Sequence, residues 1–176
     1  MLAFALAALA STVATAGKKT PPPAPYYDVN EGGWVDLANN LVWGLDYTVF
    51  TTSAPNGSTG FDPPVTVDWA TAEDMAANYP TLLAQCGWTD AATIASYWES
   101  QGLLWRQPTA TEASAFYSEG IISNIYADYN GTPRWTSSAK YKNGVLVGEY
   151  VIDLASGAVE LDIANPGFPL FVRPYR

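Results

Sequence analysis

The sequence has no histidine, and a single cysteine, Cys86, in 176 residues. Without histidine there is no Ser-His-Asp or Cys-His relay and no imidazole-ligated metal. One cysteine cannot close a disulfide within the chain or build a thiolate zinc cluster, so Cys86 is either a buried apolar side chain or a link between chains. Cations are scarce too: eight Lys and Arg stand against 17 Asp and Glu, a net charge of -9. A field of that sign repels nucleic acid, anionic headgroups and sulfated polysaccharides, and tolerates neutral sugars, cationic peptides or calcium. Neither a Gly-x-x-x-x-Gly-Lys-Ser/Thr loop nor a Gly-x-Gly-x-x-Gly turn occurs in the sequence, which removes the common phosphate and dinucleotide cradles. Glycoside hydrolysis needs only two carboxylates that meet in space, and no spacing here nominates a pair. The expectation is a protein that is not an enzyme and carries no cofactor.

Long apolar runs are also missing, with one short exception. Leu2 to Ala10 is unbroken but too short to span a bilayer, and Ala14-Thr15-Ala16 follows as a small-x-small cleavage pattern. Residues 1–16 therefore read as a secretory signal, although no Lys or Arg precedes the run. The alternative, a buried N-terminal helix, would show a polar face. Residues 17–26, with Pro21-Pro22-Pro23-Ala24-Pro25, read as a stiff linker. The folded domain is expected over 27–176, exported to the periplasm, the cell surface or the medium. No segment of the mature chain is apolar enough for a membrane span.

What the chain does contain is globular: 48% hydrophobic and 14% aromatic residues, enough for one core in roughly 150 residues. Gly33–Leu37 and Leu41–Trp43 predict a hairpin about Ala38-Asn39-Asn40. Thr51 to Pro64 predicts a surface loop. Asp68 caps a helix in which Trp69, Ala72, Met75, Ala76 and Tyr79 recur at helical spacing, while Glu73 and Asp74 face water. Pro80 ends or kinks it. A short helix is expected over 91–101, with Ile94, Tyr97 and Trp98 on one face. A third follows from Pro108, Thr109 and Glu112, which together spell a capping box, and carries Ala113, Phe116 and Tyr117. The last third turns to strands: Arg134–Ser138, a hairpin of Val145–Leu154 with Ala158–Ile163 in which Gly157 supplies the positive φ, and Leu170–Arg173. Helices set between an early hairpin and a late antiparallel sheet predict an α+β fold.

Several pieces occur in a telling order: Trp69-x-x-Ala72, Gly87-Trp88-Thr89-Asp90, Trp105-Arg106-x-Pro108-Thr109-x-x-Glu112, Trp135-Thr136-Ser137-Ser138 and Phe171-Val172-Arg173. Together they resemble the Legionella collagen-like protein C-terminal domain family, the Lcl C-terminal domain, from Gly32 to Arg176. The resemblance implies a C-type lectin-like, formylglycine-generating-enzyme-like fold in an exported bacterial protein. It implies two or three helices on small antiparallel sheets, with the N- and C-terminal strands close together. It also marks Trp69, Trp105, Arg106, Pro108, Thr109, Glu112, Trp135 and Arg173 as structural framework. The chain departs from the family pattern in three places. Residues 91–104 stand as an insertion, Gln107 replaces a leucine, and Pro174 replaces a cysteine. With one cysteine, the paired-cysteine chemistry of formylglycine-generating relatives is also missing.

Two readings attach to the remaining aromatics. Trp34, Trp43, Trp69, Trp105 and Trp135 lie in or beside predicted elements and read as core. Trp88, Tyr97, Trp98, Tyr126 and Tyr129 lie in or near the insertion and a later loop. They either cover a small core of the insertion or stack on a sugar or protein partner. Arg106 and Arg173 either bind an anion or pair within the framework. Asp128-Tyr129-Asn130-Gly131 offers oxygens for calcium, or an Asx turn. The function expected is an exported module that binds a glycan or surface protein by aromatic contact. The alternative is a structural component of an envelope, appendage or phage-like assembly.

Overall fold

The structure is a computed structural model, and it describes residues 23–48, 66–118, 132–162 and 166–176. Among these the fold is α+β: four helices and two small antiparallel sheets. The proposed leader, most of the linker, and the Tyr126, Tyr129 and Asp128–Gly131 segment lie outside the described residues.

The first sheet has the order β1-β2-β3-β7, built from β1 (Tyr26–Asp28), β2 (Gly33–Asp36), β3 (Leu41–Trp43) and β7 (Val172–Pro174). The predicted β2–β3 hairpin forms, with Asp36 opposite Leu41. Its turn is held by the Asp36 carboxylate, which accepts from the Asn39 amide at 3.0 Å and from Asn39 Nδ2 at 2.8 Å, while Asn40 takes a positive φ of 58°. β3 then pairs with β7, Val42 opposite Arg173, so the first and last strands share one sheet. The period of two sorts this sheet's side chains. Val35 and Val42 belong to one core with Tyr79, Leu83, Ala95 and Phe171; Leu41 and Trp43 belong to a second with Phe116 and Ile152. The sheet is thus covered on both faces, and the Trp43 and Phe116 rings stack at 4.1 Å.

The first helix is α1 (Trp69–Ala77), capped by Asp68, whose Oδ1 accepts from the Thr71 amide at 2.7 Å. Pro80 does more than end it. After Asn78 a separate helix begins, α2 (Tyr79–Gln85), with the proline in its first turn, where no amide is required. α2 closes on a Schellman motif: Gly87, φ 84°, donates to Ala84 O and Trp88 donates to Leu83 O at 2.9 Å. α3 (Thr89–Ser100) closes identically, with Gly102 donating to Glu99 O and Leu103 to Trp98 O. The helix predicted over 91–101 therefore exists and starts two residues earlier. Its buried stripe is Ala92, Ala95 and Trp98, while Tyr97 turns outward. α4 (Ala110–Ser118) carries Ala113 and Phe116 inward, as its spacing predicts.

The second sheet, β4-β5-β6, comprises β4 (Arg134–Lys142), β5 (Val145–Ile152) and β6 (Val159–Asp162). β4 runs well past the predicted end at Ser138 and turns at Asn143-Gly144, where both residues have positive φ, 53° and 78°. That is the conformation a two-residue primed turn requires, and Asn-Gly supplies it. Gly157 has φ 72° as expected, and a side chain there would collide with the Tyr117 ring.

The segment from Trp105 to Glu112 fastens the two sheets together. Arg106 exchanges backbone hydrogen bonds with Val172, both 2.9 Å, and so lies along the outer edge of β7. Two residues on, Pro108 O accepts from the Ser137 amide of β4 at 2.7 Å. The capping box is realised in both directions: Thr109 Oγ1 accepts from the Glu112 amide at 3.2 Å, and Glu112 Oε2 accepts from the Thr109 amide at 2.7 Å. Trp69 Nε1 donates to Thr136 O at 2.7 Å and Trp135 Nε1 to Val67 O at 2.8 Å, tying α1 to β4. Of the tryptophans read as core, Trp43, Trp105 and Trp135 are buried and Trp34 and Trp69 are partly so.

Candidate functional site

The arginines of the framework go to different environments. Arg106 grips Glu112 with two hydrogen bonds, Nη1–Oε2 2.9 Å and Nη2–Oε1 2.7 Å, at a partly exposed position. Arg173 is fully buried. Its Nη2 donates to Glu31 Oε2 at 2.9 Å and to Glu31 O at 2.7 Å, and Glu31 is itself fully buried. The guanidinium carbon lies 5.1 Å from the Trp98 ring centre and 5.5 Å from that of Trp105. Arg176 completes the group from the surface, its Nε 2.9 Å from Glu31 Oε1 and its guanidinium over the Trp98 ring at 5.2 Å. Burial lowers the Arg173 pKa and the Glu31 carboxylate works against that shift.

Trp98 is thereby a keystone and not a free platform. Its Nε1 donates to Asn30 O at 2.9 Å, and it is 9% exposed. The turn between β1 and β2 sits on α3 at close range: Gly32, φ 70°, leaves room for only 3.1 Å between an added Cβ and Ile94. Three large apolar side chains close in sequence to this anchor or to its bonded neighbours are exposed. Tyr97, edge-on to Trp98 at 5.0 Å, is 55% exposed; Leu104 follows the Schellman turn that ends on Trp98 O; Val29 precedes the residue that accepts from Trp98 Nε1. Both Val29 and Leu104 are exposed, as are Tyr26 and Tyr27 on the edge strand β1.

Among the described residues, Trp88, Tyr97 and Trp98 are not gathered on one exposed face. Trp88 packs, half-buried, against the larger core at the opposite end of α3, about 15 Å along the helix from Trp98 at ten residues' rise. Trp98 is buried, Tyr97 is exposed, and Tyr126 and Tyr129 lie outside the described residues. Cys86 is free and buried at the end of α2, where burial pushes its thiol pKa up. Asn30, Arg176 and, through the arginines, Glu31 are the surroundings of Trp98 that sequence reasoning missed. Only the Gly102 cap could have hinted that the chain turns back there.

Chemically the arrangement offers exposed apolar side chains, one of them aromatic, beside a buried ion pair and one partly exposed guanidinium. Among the described residues no group of three or more His, Cys, Asp or Glu side chains is placed to hold a metal ion, and no helix is long and apolar enough to cross a membrane. Comparison with protein-family models, with curated proteins and with solved structures finds no match to any of them.

Proposed function

We propose that this chain is an exported binding module of lectin-like build, and that its ligand is a surface protein held by the apolar side chains around the C-terminal end of α3. One observation carries the reading: Tyr97 stands exposed edge-on to an anchor, Trp98, that two arginines and a backbone hydrogen bond immobilise, and Leu104 and Val29 are exposed in the segments that bond to Trp98. Apolar side chains grouped on a fixed base form the pattern of a recognition surface, because little conformational freedom is left to lose on binding. The mixture of aliphatic and aromatic groups favours a protein ligand over a sugar, whose hydroxyls need polar partners beside any aromatic face. The sharing of one sheet by β1 and β7 supports the lectin-like part of the proposal, as does the Trp105–Glu112 framework. A net charge of -9 disfavours sulfated polysaccharides and nucleic acid as ligands.

The test is binding of the labelled chain to intact bacterial and host cells, untreated, protease-treated or stripped of glycans. Binding should fall after proteolysis and survive glycan removal. Tyr97→Ala should weaken it by about 30-fold, the cost of a typical aromatic hot spot. Loss on glycan removal alone would move the ligand to a sugar. Binding indifferent to both Tyr97→Ala and Leu104→Asp would remove this face from the function.

A further inference from the structure

Most of the described cations are neutralised within the fold. Among the described residues each of the four arginines pairs with a carboxylate: Arg106 with Glu112, Arg134 with Asp46, and Arg173 and Arg176 with Glu31. The two described lysines, Lys140 and Lys142, make no ion pair and are exposed. Both lie near the tip of the β4–β5 hairpin, which therefore displays unpaired positive charge on an acidic chain.

That tip is an arm standing clear of the sheet. β6 accompanies β5 from Ile152 to Glu149, where Glu149 opposes Asp162. Just beyond that rung the ladder slips: Lys140 opposes Gly148 but Tyr141 opposes Leu146, which leaves Val147 without an opposite residue. A bulge of this kind bends and twists a ribbon. Past it, among the described residues, no hydrogen bond, ion pair or ring contact ties residues 140–147 to anything outside the ribbon. The apolar side chains of the tip are bare on both faces. Directly opposed residues share a face and neighbours alternate, so Tyr141 and Leu146 lie on one face, and Val145 lies on the other with Lys142. Tyr141 is 61% exposed, Val145 65% and Leu146 41%.

We infer that this arm contacts a lipid bilayer with anionic headgroups: Tyr141, Val145 and Leu146 enter its interface while Lys140 and Lys142 meet the headgroups. A protein surface covers one face of a ribbon and leaves the other in water, whereas a bilayer interface surrounds a tip on both faces. Nucleic acid would engage the lysines alone. Lysine stems can lie along an apolar tip with the ammonium groups at headgroup level, and tyrosine favours that depth. The Asn143-Gly144 turn keeps its peptide groups hydrated there, so the contact is shallow. The acidic body does not forbid it. Four residues of strand set the tip about 10–14 Å beyond the Glu149–Asp162 rung, more than the ~8 Å over which salt screens charge at physiological ionic strength. A net charge of -9 keeps the body off such a surface and leaves the arm to reach it.

Flotation of the full chain with vesicles of phosphatidylcholine, alone or with about a quarter phosphatidylglycerol, tests the contact. The wild type should bind the anionic vesicles at least about tenfold more tightly, and added salt should release it. Lys140→Gln/Lys142→Gln should bind them about 30-fold more weakly, the effect of two lysines at such a surface. Val145→Ser/Leu146→Ser keeps both charges and should lose about tenfold. All four side chains are exposed, so urea midpoints should stay at the wild-type value. Binding through the apolar run at 2–10 or through Lys18-Lys19 would be the same in both variants as in the wild type. A wild type that does not distinguish the two vesicles, or either variant bound as tightly as the wild type, would overturn the proposal. So would arm variants that lose attachment to cells but keep vesicle binding, since the arm would then hold an acidic protein. Tyr97→Ala should bind vesicles normally, so this proposal and the one at α3 fail separately.

Discussion

Glu31 and Arg173 form an ion pair at 2.9 Å with both side chains at zero exposure, joining the turn after β1 to the last strand across 142 positions of sequence. Burying two charges is costly, and such a pair holds its place only when the geometry and the surrounding hydrogen bonds repay it. Here Arg173 also donates to Glu31 O and to Pro174 O, and lies within reach of two tryptophan rings. The pair fixes the turn that carries Val29 and Asn30, and through it the surroundings of Trp98.

Removing one member should therefore cost far more than a surface ion pair. Glu31→Ala strands the Arg173 charge in the interior and should lower stability by about 3–5 kcal/mol in urea unfolding. Arg176→Ala removes only the exposed partner of Glu31, a side chain 55% accessible, and should cost far less than Glu31→Ala. Equal losses in the two variants would mean that the buried pair is not what holds the turn.

Adjacent aromatics on α3 should separate stability from recognition. Trp98→Phe keeps a ring under the arginines and loses the donor to Asn30 O, a cost of about 1 kcal/mol, while Trp98→Ala should cost about 3–5 kcal/mol. Tyr97→Ala next to it should move the urea midpoint by no more than about 0.5 kcal/mol equivalent, since its ring is mostly in solvent. A large stability loss in Tyr97→Ala would make that residue part of the framework and undo its use as a binding probe.

What was readable in the sequence and what was not divides along the range of the forces involved. The Thr109–Glu112 capping box, the Asp68 cap and the Gly157 turn are local, set by residues a few positions apart, and they are found where expected. β4 continues past Ser138 to Lys142 because Asn143-Gly144, with both residues at positive φ, turns it back onto β5. The division between α1 and α2 hid behind a continuous apolar period that Pro80 enters without breaking, since a first-turn proline lacks no bond. The surroundings of Trp98 could not be read, because Asn30, Glu31, Arg173 and Arg176 reach it from two distant parts of the chain. Helical spacing placed Tyr97 and Trp98 on one face, but neighbours about 100° apart on a helix need not share an environment.

Gln107 is a site where the sequence should tolerate improvement. Its amide is 1% exposed, and among the described residues neither Oε1 nor Nε2 has a hydrogen-bond partner. A buried amide without partners costs about 1–3 kcal/mol relative to an apolar group of similar volume. Gln107→Leu should therefore stabilise the fold by about that amount and raise Tm by about 2–4 °C per kcal/mol. A lower Tm in calorimetry would show that the amide is satisfied in solution.

Acid should weaken the protein through three carboxylates. Asp68 is held below the usual carboxylate range by the Thr71 amide, and Asp153 by the Ser156 hydroxyl and the Ala155 amide. At Glu112 burial pushes upward, but the Arg106 guanidinium and the Thr109 amide outweigh it and leave the net shift downward. A carboxylate with a lowered folded pKa contributes stability that is complete above its unfolded value, about 4, and is lost as pH falls through the folded value. Urea midpoints should thus be flat from neutral pH down to about 5 and fall below about 4. Glu112→Gln loses the charged grip on Arg106 and should be less stable than the wild type at pH 7 by about 1 kcal/mol. The gap should close as the wild-type carboxylate is protonated, so the two unfolding curves converge as pH falls below the usual carboxylate range. A gap that stays constant with pH would assign the loss to packing and not to the charge on Glu112.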